Sequence, residues 1–252
     1  MSECVFLAGA TGAIGRRLAP LLVAAGWRVV GTTRSPDKAC ALRQLGVEPV
    51  VLDVFDAAAL HAALATARPA IVIHQLTDLP PGLDPSRMAD ATARNARIRD
   101  EGTRNLVAAA LAAGVRRMLA QSIAFAYADG PLPHGEDDPL DLGAQGARSM
   151  SVGGVVNLER QVLEAPMEGI VLRYGRLYGP GTGFDAPTGV GPVHVDAAAR
   201  ATELAIARGT PGIYNIAEDD GTLSSEKARR VLGWNADWRV PEGARQPSRT
   251  SC

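Results

Sequence analysis

The segment AGATGAIG, residues 8–15, decides the fold that this sequence predicts. It carries a glycine at every third position and lies between two runs of different periodicity. The run before it, CVFLA at 4–8, is short, apolar and typical of a strand that is buried on both faces. The run after it, 12–25, has apolar residues at helical spacing and stops before Gly26. The sequence therefore predicts a strand, a glycine loop and a helix in direct succession.

The glycine spacing of this loop has a chemical reason. One glycine permits a tight turn, a second lets the backbone approach a pyrophosphate, and a third lets the helix pack on the strand. The start of the helix adds unpaired N–H groups and a partial positive charge for the phosphates. We therefore predict a dinucleotide-binding loop, with a purely structural turn as the alternative. The predicted cofactor-binding residues of the loop are Gly9, Thr11, Gly12, Ala13, Ile14 and Gly15.

The end of the second predicted strand indicates which dinucleotide would bind. An acidic residue about 20 residues after the loop would bond the ribose 2′-hydroxyl of NAD. This sequence instead reads GTTRS at 31–35 and has no acidic residue there before Asp37. The guanidinium of Arg34 could bind a 2′-phosphate bidentately and cannot lose its charge. The sequence therefore favours NADP, with NAD as the alternative if Arg34 is only a solvated surface residue.

Strands and helices keep alternating through the rest of the chain. The further predicted strands are 28–31, 49–52, 70–74, 118–122, 170–173 and 213–216, and the further helices are 38–45, 57–67, 95–113, 153–163 and 195–207. This rhythm predicts an α/β fold with a doubly wound parallel sheet of the Rossmann type, in a single domain over 1–252. Gly- and Pro-rich segments at about 129–150, 179–192 and 218–252 are expected to build a small, largely C-terminal substrate side.

The composition argues against several other classes of protein. The chain has 26 basic and 27 acidic residues, whereas a nucleic-acid-binding protein normally carries a basic footprint. No apolar stretch approaches the roughly 20 residues that span a bilayer. The three cysteines and four histidines are not grouped, so no metal site is predicted. The chain starts without the basic and apolar regions of a signal peptide, and we therefore expect a cytoplasmic protein.

Motifs over nearly the whole chain resemble the NAD-dependent epimerase/dehydratase family, which comprises extended and atypical short-chain dehydrogenases/reductases. They are Gly9–Gly15, Asp53, His74, Gly102-Thr103, Leu172-Arg173, Tyr178–Gly181, His194–Asp196, Tyr214-Asn215, Lys227–Arg230 and Leu232–Trp234. The resemblance implies that Asp53 and Val54 contact the adenine of the cofactor. It also implies that Leu76 and Thr77 line the ribose and the nicotinamide.

The sequence departs from that family at the catalytic residues. Members usually carry a Tyr followed four residues later by a Lys, and a Ser that orients the substrate. The matching helix positions here hold Ser151 and Val155, and no lysine occurs between 39 and 226. An unassisted hydroxyl is a poor general acid near pH 7. The hydroxyl side chains that are left for proton transfer are those of Ser122, Tyr127, Ser151, Tyr174 and Tyr178. Of these, Ser122, Tyr127 and Ser151 are the predicted catalytic residues.

Three functions fit these observations. The first is an NADP-dependent oxidoreductase that acts on a small carbonyl, enone or imine without the Tyr-x-x-x-Lys pair, the cofactor carrying the hydride chemistry. The second is a non-catalytic NAD(P)-binding protein that regulates or binds a partner, and the third is a nucleotide-sugar epimerase or dehydratase.

The family resemblance also implies a homodimer, with small and Val-rich helix surfaces near 108–112 and 152–156 as its interface.

Overall fold

The computed structural model of the protein describes residues 2–241. Its strands are β1 (Cys4–Ala8), β2 (Arg28–Thr33), β3 (Glu48–Val51), β4 (Ile71–His74), β5 (Arg117–Ile123), β6 (Glu168–Tyr174), β7 (Leu177–Tyr178), β8 (Val193–His194) and β9 (Gly212–Ile216). Seven of them form one parallel sheet in the order β3-β2-β1-β4-β5-β6-β9. The short strands β7 and β8 pair separately. This topology confirms the predicted Rossmann-type fold.

Helices cover both faces of the sheet. They are α1 (Ala13–Ala24), α2 (Ala39–Gln44), α3 (Ala57–Ala67), α4 (Met88–Arg97), α5 (Thr103–Ala112), α6 (Gly146–Leu163) and α7 (Val195–Arg208). Because strand side chains alternate between faces, Val5 and Leu7 join one core cluster, which also contains α1 and α7 residues. Phe6 and Ala8 join the other, with residues of α3, α5 and α6. Strand β1 is thus buried on both sides, as its continuous apolar sequence predicts.

The strand order reverses next to β1. This strand pairs with β2 on one side and with β4 on the other. The chain therefore leaves β1 and β4 in opposite directions across the sheet, and a crevice opens outside their carboxyl ends. The glycine loop follows β1 directly, and His74 ends β4. The topology places the predicted cofactor loop at this crevice.

The structure corrects the starts of two helices. The long helix begins at Met88, and a π-helical turn at Ile98–Gly102 joins α4 to α5. Helix α6 begins at Gly146, inside the segment 129–150 that we predicted to be a loop. Both starts lie seven residues before the predicted ones. The first turn of α6 reads GARS, which contains weak helix formers, so the sequence hides this boundary.

The predicted substrate-side segments pack on one another in part. A β-bridge joins His134 to Leu223, and the backbone of His134 also bonds to that of Thr222 and Ser224. The segment 218–252 continues past residue 241 and so lies partly outside the described residues. In residues 2–241 no helix is long and apolar enough to cross a membrane. The same residues hold no group of three or more His, Cys, Asp or Glu that could bind a metal ion.

Candidate active site

A cavity of about 770 Å³ opens at the carboxyl ends of β1, β2, β4, β5 and β6. This volume is in the range of small-molecule and cofactor sites. The predicted cofactor-binding residues that line it are Gly9, Thr11, Gly12, Ala13, Ile14, Arg34, Asp53, Val54, Leu76 and Thr77. Of the eleven residues predicted for the cofactor, Gly15 alone does not line the cavity. The fold thus brings together positions that are far apart in the sequence.

The first glycine of the loop lies against the start of the segment after β4. Gly9 has a φ of +89°, and a Cβ atom there would lie 2.6 Å from the Gln75 carbonyl oxygen. The Gly9 N–H donates to Thr32 Oγ1 at 3.1 Å, and the Gly12 N–H donates to the Gly9 carbonyl at 3.0 Å. Only glycine fits this conformation and this close approach. The loop therefore presents bare backbone to the cavity.

The other two glycines fit the start of α1 for phosphate binding. A Cβ atom on Gly15 would lie 2.3 Å from the Gly9 carbonyl oxygen, so the helix packs directly on the loop. Gly12 is the N-cap, and neither a side-chain cap nor an acidic residue of the first turn competes for the helix N–H groups. Such an end binds anions through its N–H groups and its dipole. These residues fit the pyrophosphate of a dinucleotide.

Arg34 lines the cavity just after the end of β2 and belongs to an ion-pair cluster. Its Nη2 is 2.9 Å from Asp78 Oδ1, and Arg94 Nε is 2.8 Å from Asp78 Oδ2. Hydrogen bonding to Arg34 holds the pKa of Asp78 below its usual range. Lys38 lines the same cavity and adds a second cation, which sequence reasoning missed. Two cations near the end of β2 fit a 2′-phosphate, although Arg34 also has Asp78 as a partner.

His74 has a structural role at the end of β4. It is buried, and burial lowers its pKa to about 4, so the ring is neutral near pH 7. Its Nδ1 accepts from the Leu76 N–H at 3.2 Å, so the ring proton lies on Nε2. Nε2 lies 3.1 Å from Thr103 Oγ1 in α5. His74 thereby fixes the backbone of Leu76, which lines the cavity.

Two of the candidate catalytic residues belong to a buried network beside the cavity. Ser122 Oγ donates to Glu159 Oε1 at 2.7 Å. Arg173 makes a bidentate pair with Glu159, at 2.9 and 2.7 Å, and its Nη1 donates to Tyr127 Oη at 2.8 Å. Tyr127 Oη donates in turn to Asn215 Oδ1 at 2.7 Å. Burial raises the pKa of Tyr127, so this phenol holds its proton more tightly than usual.

None of the three predicted catalytic residues, Ser122, Tyr127 and Ser151, lines the cavity. Successive side chains of a strand point to opposite faces. At the end of β5, Gln121 and Ile123 line the cavity, so Ser122 between them points toward α6 and Glu159. Ser151 lies on α6, half-buried. Val155, at the position of the family's lysine, is buried in an apolar cluster.

Three polar residues line the cavity at the substrate side, and sequence reasoning named only Tyr174 among them. Gln75, Tyr174 and Arg176 follow or end strands β4 and β6 and line the cavity. Gln75 is 4% exposed, and its amide makes no hydrogen bond of normal geometry with the described residues. Tyr174 Oη lies 2.6 Å from Thr202 Oγ1, and burial raises its pKa to about 12. For Gln75 and Arg176, which sequence reasoning missed, the position after the carboxyl end of a strand was the only available signal.

The sheet order, the glycine loop and the cavity at the strand reversal define an NAD(P)-binding protein of the Rossmann type. The family model described as NAD(P)H-binding matches residues 9–150, more than half of the chain, and the protein belongs to this family. Its fold is that of the epimerase/dehydratase-type short-chain dehydrogenases/reductases, which confirms the resemblance seen in the motifs. The NAD(P)H-binding domain and the similarity to a reductase support an NAD(P)-dependent oxidoreductase.

Known proteins resemble the chain over almost its full length. A 3-diazoavenalumate denitrifying reductase of a Streptomyces species is 37% identical over 271 residues, covering 91% of this chain and 87% of that protein. The UDP-glucose 4-epimerase of Thermotoga maritima superposes with a TM-score of 0.75 at 18% identity, over 97% of both chains. That of Thermus thermophilus, in complex with NAD, gives 0.71 at 19% identity, again over 97% of both. The two epimerases show a shared fold.

Proposed function

We propose that the protein is an NADPH-dependent reductase of a small electrophilic substrate that works without the Tyr/Lys pair. The observation that carries the proposal is one continuous cavity in which the glycine loop lies opposite apolar residues that end or follow β5 and β6. When bound, the nicotinamide supplies a hydride. The glycine loop and the start of α1 would bind the pyrophosphate, and Arg34 with Lys38 would bind the 2′-phosphate. The similarity to a protein that is named as a reductase supports this assignment.

The remaining cofactor contacts follow from the same cavity. Asp53 and Val54 lie where the chain leaves β3, beside the glycine loop, and would contact the adenine. Leu76 and Thr77 follow β4 and would line the ribose and nicotinamide. The buried His74 holds the Leu76 N–H in place for this contact.

The side chains of the cavity favour a substrate that needs no proton from the protein. Tyr174, with a pKa raised to about 12, retains its proton near neutrality. Reduction of a carbonyl, enone or imine requires a hydride and a proton, which water would have to supply here. An aryl diazonium requires the hydride alone, because the hydride electron pair forms the C–H bond while the C–N bond electrons leave with N₂. The similarity to a denitrifying reductase of a diazo compound supports the aryl diazonium as the substrate class.

A turnover assay tests the proposal. Purified protein is mixed with NADPH and a panel of aryl diazonium, enone, imine and aldehyde substrates, and loss of NADPH absorbance is followed. We expect turnover with at least one class, and deuterium transfer from deuterated NADPH into the product. Tyr127→Phe and Ser151→Ala should keep most of the rate, since neither residue lines the cavity.

Two results would contradict this proposal in different ways. Tight NADPH binding with no turnover across the panel would favour the non-catalytic, regulatory function. A loss of about a hundredfold in kcat for Tyr127→Phe or Ser151→Ala, on the scale of general acid–base catalysis, would restore that residue as the proton donor.

A further inference from the structure

Arg176 lies in the loop that follows β6, on the substrate side of the cavity. Its backbone is fixed, because its N–H donates to the Val190 carbonyl at 3.3 Å and its carbonyl accepts from the Val193 N–H at 3.0 Å. The preceding Gly175 makes this close packing possible, since a Cβ atom there would overlap the Gly191 carbonyl oxygen at 1.6 Å. The loop therefore holds the Arg176 side chain at a defined point of the cavity wall.

Two aromatic rings flank the guanidinium of Arg176. Its Cζ atom lies 5.6 Å from the ring centroid of Phe125 and 5.6 Å from that of Phe184. Both rings line the same cavity. Contacts of this kind orient a guanidinium by cation–π attraction without neutralising it. The N–H groups of the Arg176 guanidinium are thus held in place, and its positive charge is free to interact with a ligand.

Within residues 2–241, Arg176 has no carboxylate partner. Its Nε is buried and makes no hydrogen bond, and no ion pair joins Arg176 to a described residue. The other cavity arginine on a strand end, Arg34, is paired with Asp78, and the nearby Arg173 is paired with Glu159. An arginine cannot lose its proton, and a partly buried charge without a counter-charge is costly. An anionic ligand would supply the counter-charge that the described residues do not.

The surroundings of Arg176 indicate which anion fits. Arg34 and Lys38 come from the end of β2 and the turn after it, on the far side of β1 and β4 in the sheet order. The guanidinium of Arg16, from α1, lies beside Gly181 in the loop that also carries Phe184. Arg176 is the cation that Phe125 and Phe184 flank, and a single guanidinium suits a single negative charge better than a diphosphate. The neighbouring wall of Ile123, Phe125, Leu177 and Phe184 is apolar. A planar carboxylate matches the guanidinium fork bidentately.

We propose that Arg176, held between Phe125 and Phe184, binds the carboxylate of a planar aromatic monocarboxylate substrate. This inference rests on the proposed function, because it names the substrate class of the same cavity. The carboxylate accepts hydrogen bonds from the guanidinium N–H groups, and the aromatic ring of the substrate lies along the apolar wall. The electrophilic carbon then lies on the cofactor side of the cavity.

Equilibrium binding of two matched probes tests this assignment. Cinnamate and its neutral isostere cinnamamide are titrated into the protein in the presence of saturating NADP⁺. A hydrogen-bonded ion pair is worth about tenfold to a hundredfold in affinity, so we expect cinnamate to bind at least about tenfold more tightly than cinnamamide. Arg176→Gln should remove this preference and leave the affinity for cinnamamide and for NADPH unchanged. Arg104→Gln, at an exposed arginine outside the cavity, is the matched control and should behave as the wild type.

Thermal unfolding separates a binding role from a structural one. Because Arg176 is unpaired, Arg176→Gln should unfold at the wild-type temperature or above it. Equal affinity of the wild type for the two probes, the same preference in Arg176→Gln, or tighter binding of phenyl phosphate than of cinnamate would overturn the inference. So would no detectable binding of cinnamate at about 10 mM, above the Kd of weak ligands. Since no turnover is measured, failure of the reductase proposal would leave this result standing, and the reverse also holds.

Discussion

At the scale of single residues, cofactor preference depends on Arg34. Its side chain is half-exposed and lines the cavity, while Arg94 binds the same Asp78 carboxylate without lining the cavity. Arg34→Ala should weaken NADPH binding by about tenfold or more, the value of a charge-assisted hydrogen bond, and leave NADH binding little changed. Arg94→Ala is the matched control, because it removes a charge from the same cluster. Titration of both cofactors by fluorescence measures the effect.

Either of two results would refute the preference for NADP. One is equal affinity of the wild-type protein for NADPH and NADH. The other is an unchanged preference in Arg34→Ala, which would mean that Arg34 serves only its ion pair with Asp78. A surface pair of this kind is worth about 0–1 kcal/mol, so neither substitution should unfold the protein.

At the scale of elements, His74 ties the end of β4 to α5 through Thr103. Burial lowers its pKa in the folded protein to about 4, whereas an unfolded histidine titrates near 6.5. Between these values the unfolded chain binds a proton that the folded chain does not. Stability is therefore complete above about pH 6.5 and falls as the pH drops toward 4, by about 2 kcal/mol between pH 7 and pH 5 for this one group. Urea unfolding at the two pH values measures this loss.

His74→Gln should remove this part of the pH dependence. The variant loses the titrating ring, so its free energy of unfolding should fall less between pH 7 and pH 5, even if it is lower at pH 7. His61, an exposed residue of α3, provides the matched control His61→Gln, whose pH dependence should equal that of the wild type. A wild-type slope retained in His74→Gln would show that other groups cause the loss.

At the scale of the whole molecule, the sequence predicts the secondary structure better than the orientation of individual side chains. The seven strands and the glycine loop could be predicted because period and glycine spacing are local properties of the sequence. The orientation of Ser122 could not, since it depends on Glu159, 37 residues away, which also binds Arg173. The same holds for Arg176, because Phe125 and Phe184 meet it only after the sheet has formed. The sequence thus predicted ten of the residues that line the cavity around the glycine loop, but not the orientation of the side chains at the ends of β5 and β6.

We predict that the whole molecule forms a homodimer through the outer faces of α5 and α6. The structure narrows the predicted surface, since Val152 and Val155 are buried inside the protein. Ala108 and Ala112 are exposed on α5, together with Leu111 at 38%, and small residues permit close helix packing. The wild type should sediment as a dimer at micromolar concentration. Leu111→Glu should give a monomer that still binds NADPH, because Leu111 lies outside the cavity, whereas Leu132→Glu on an exposed loop should stay dimeric. A monomeric wild type, or a dimer that Leu111→Glu leaves intact, would rule out this interface.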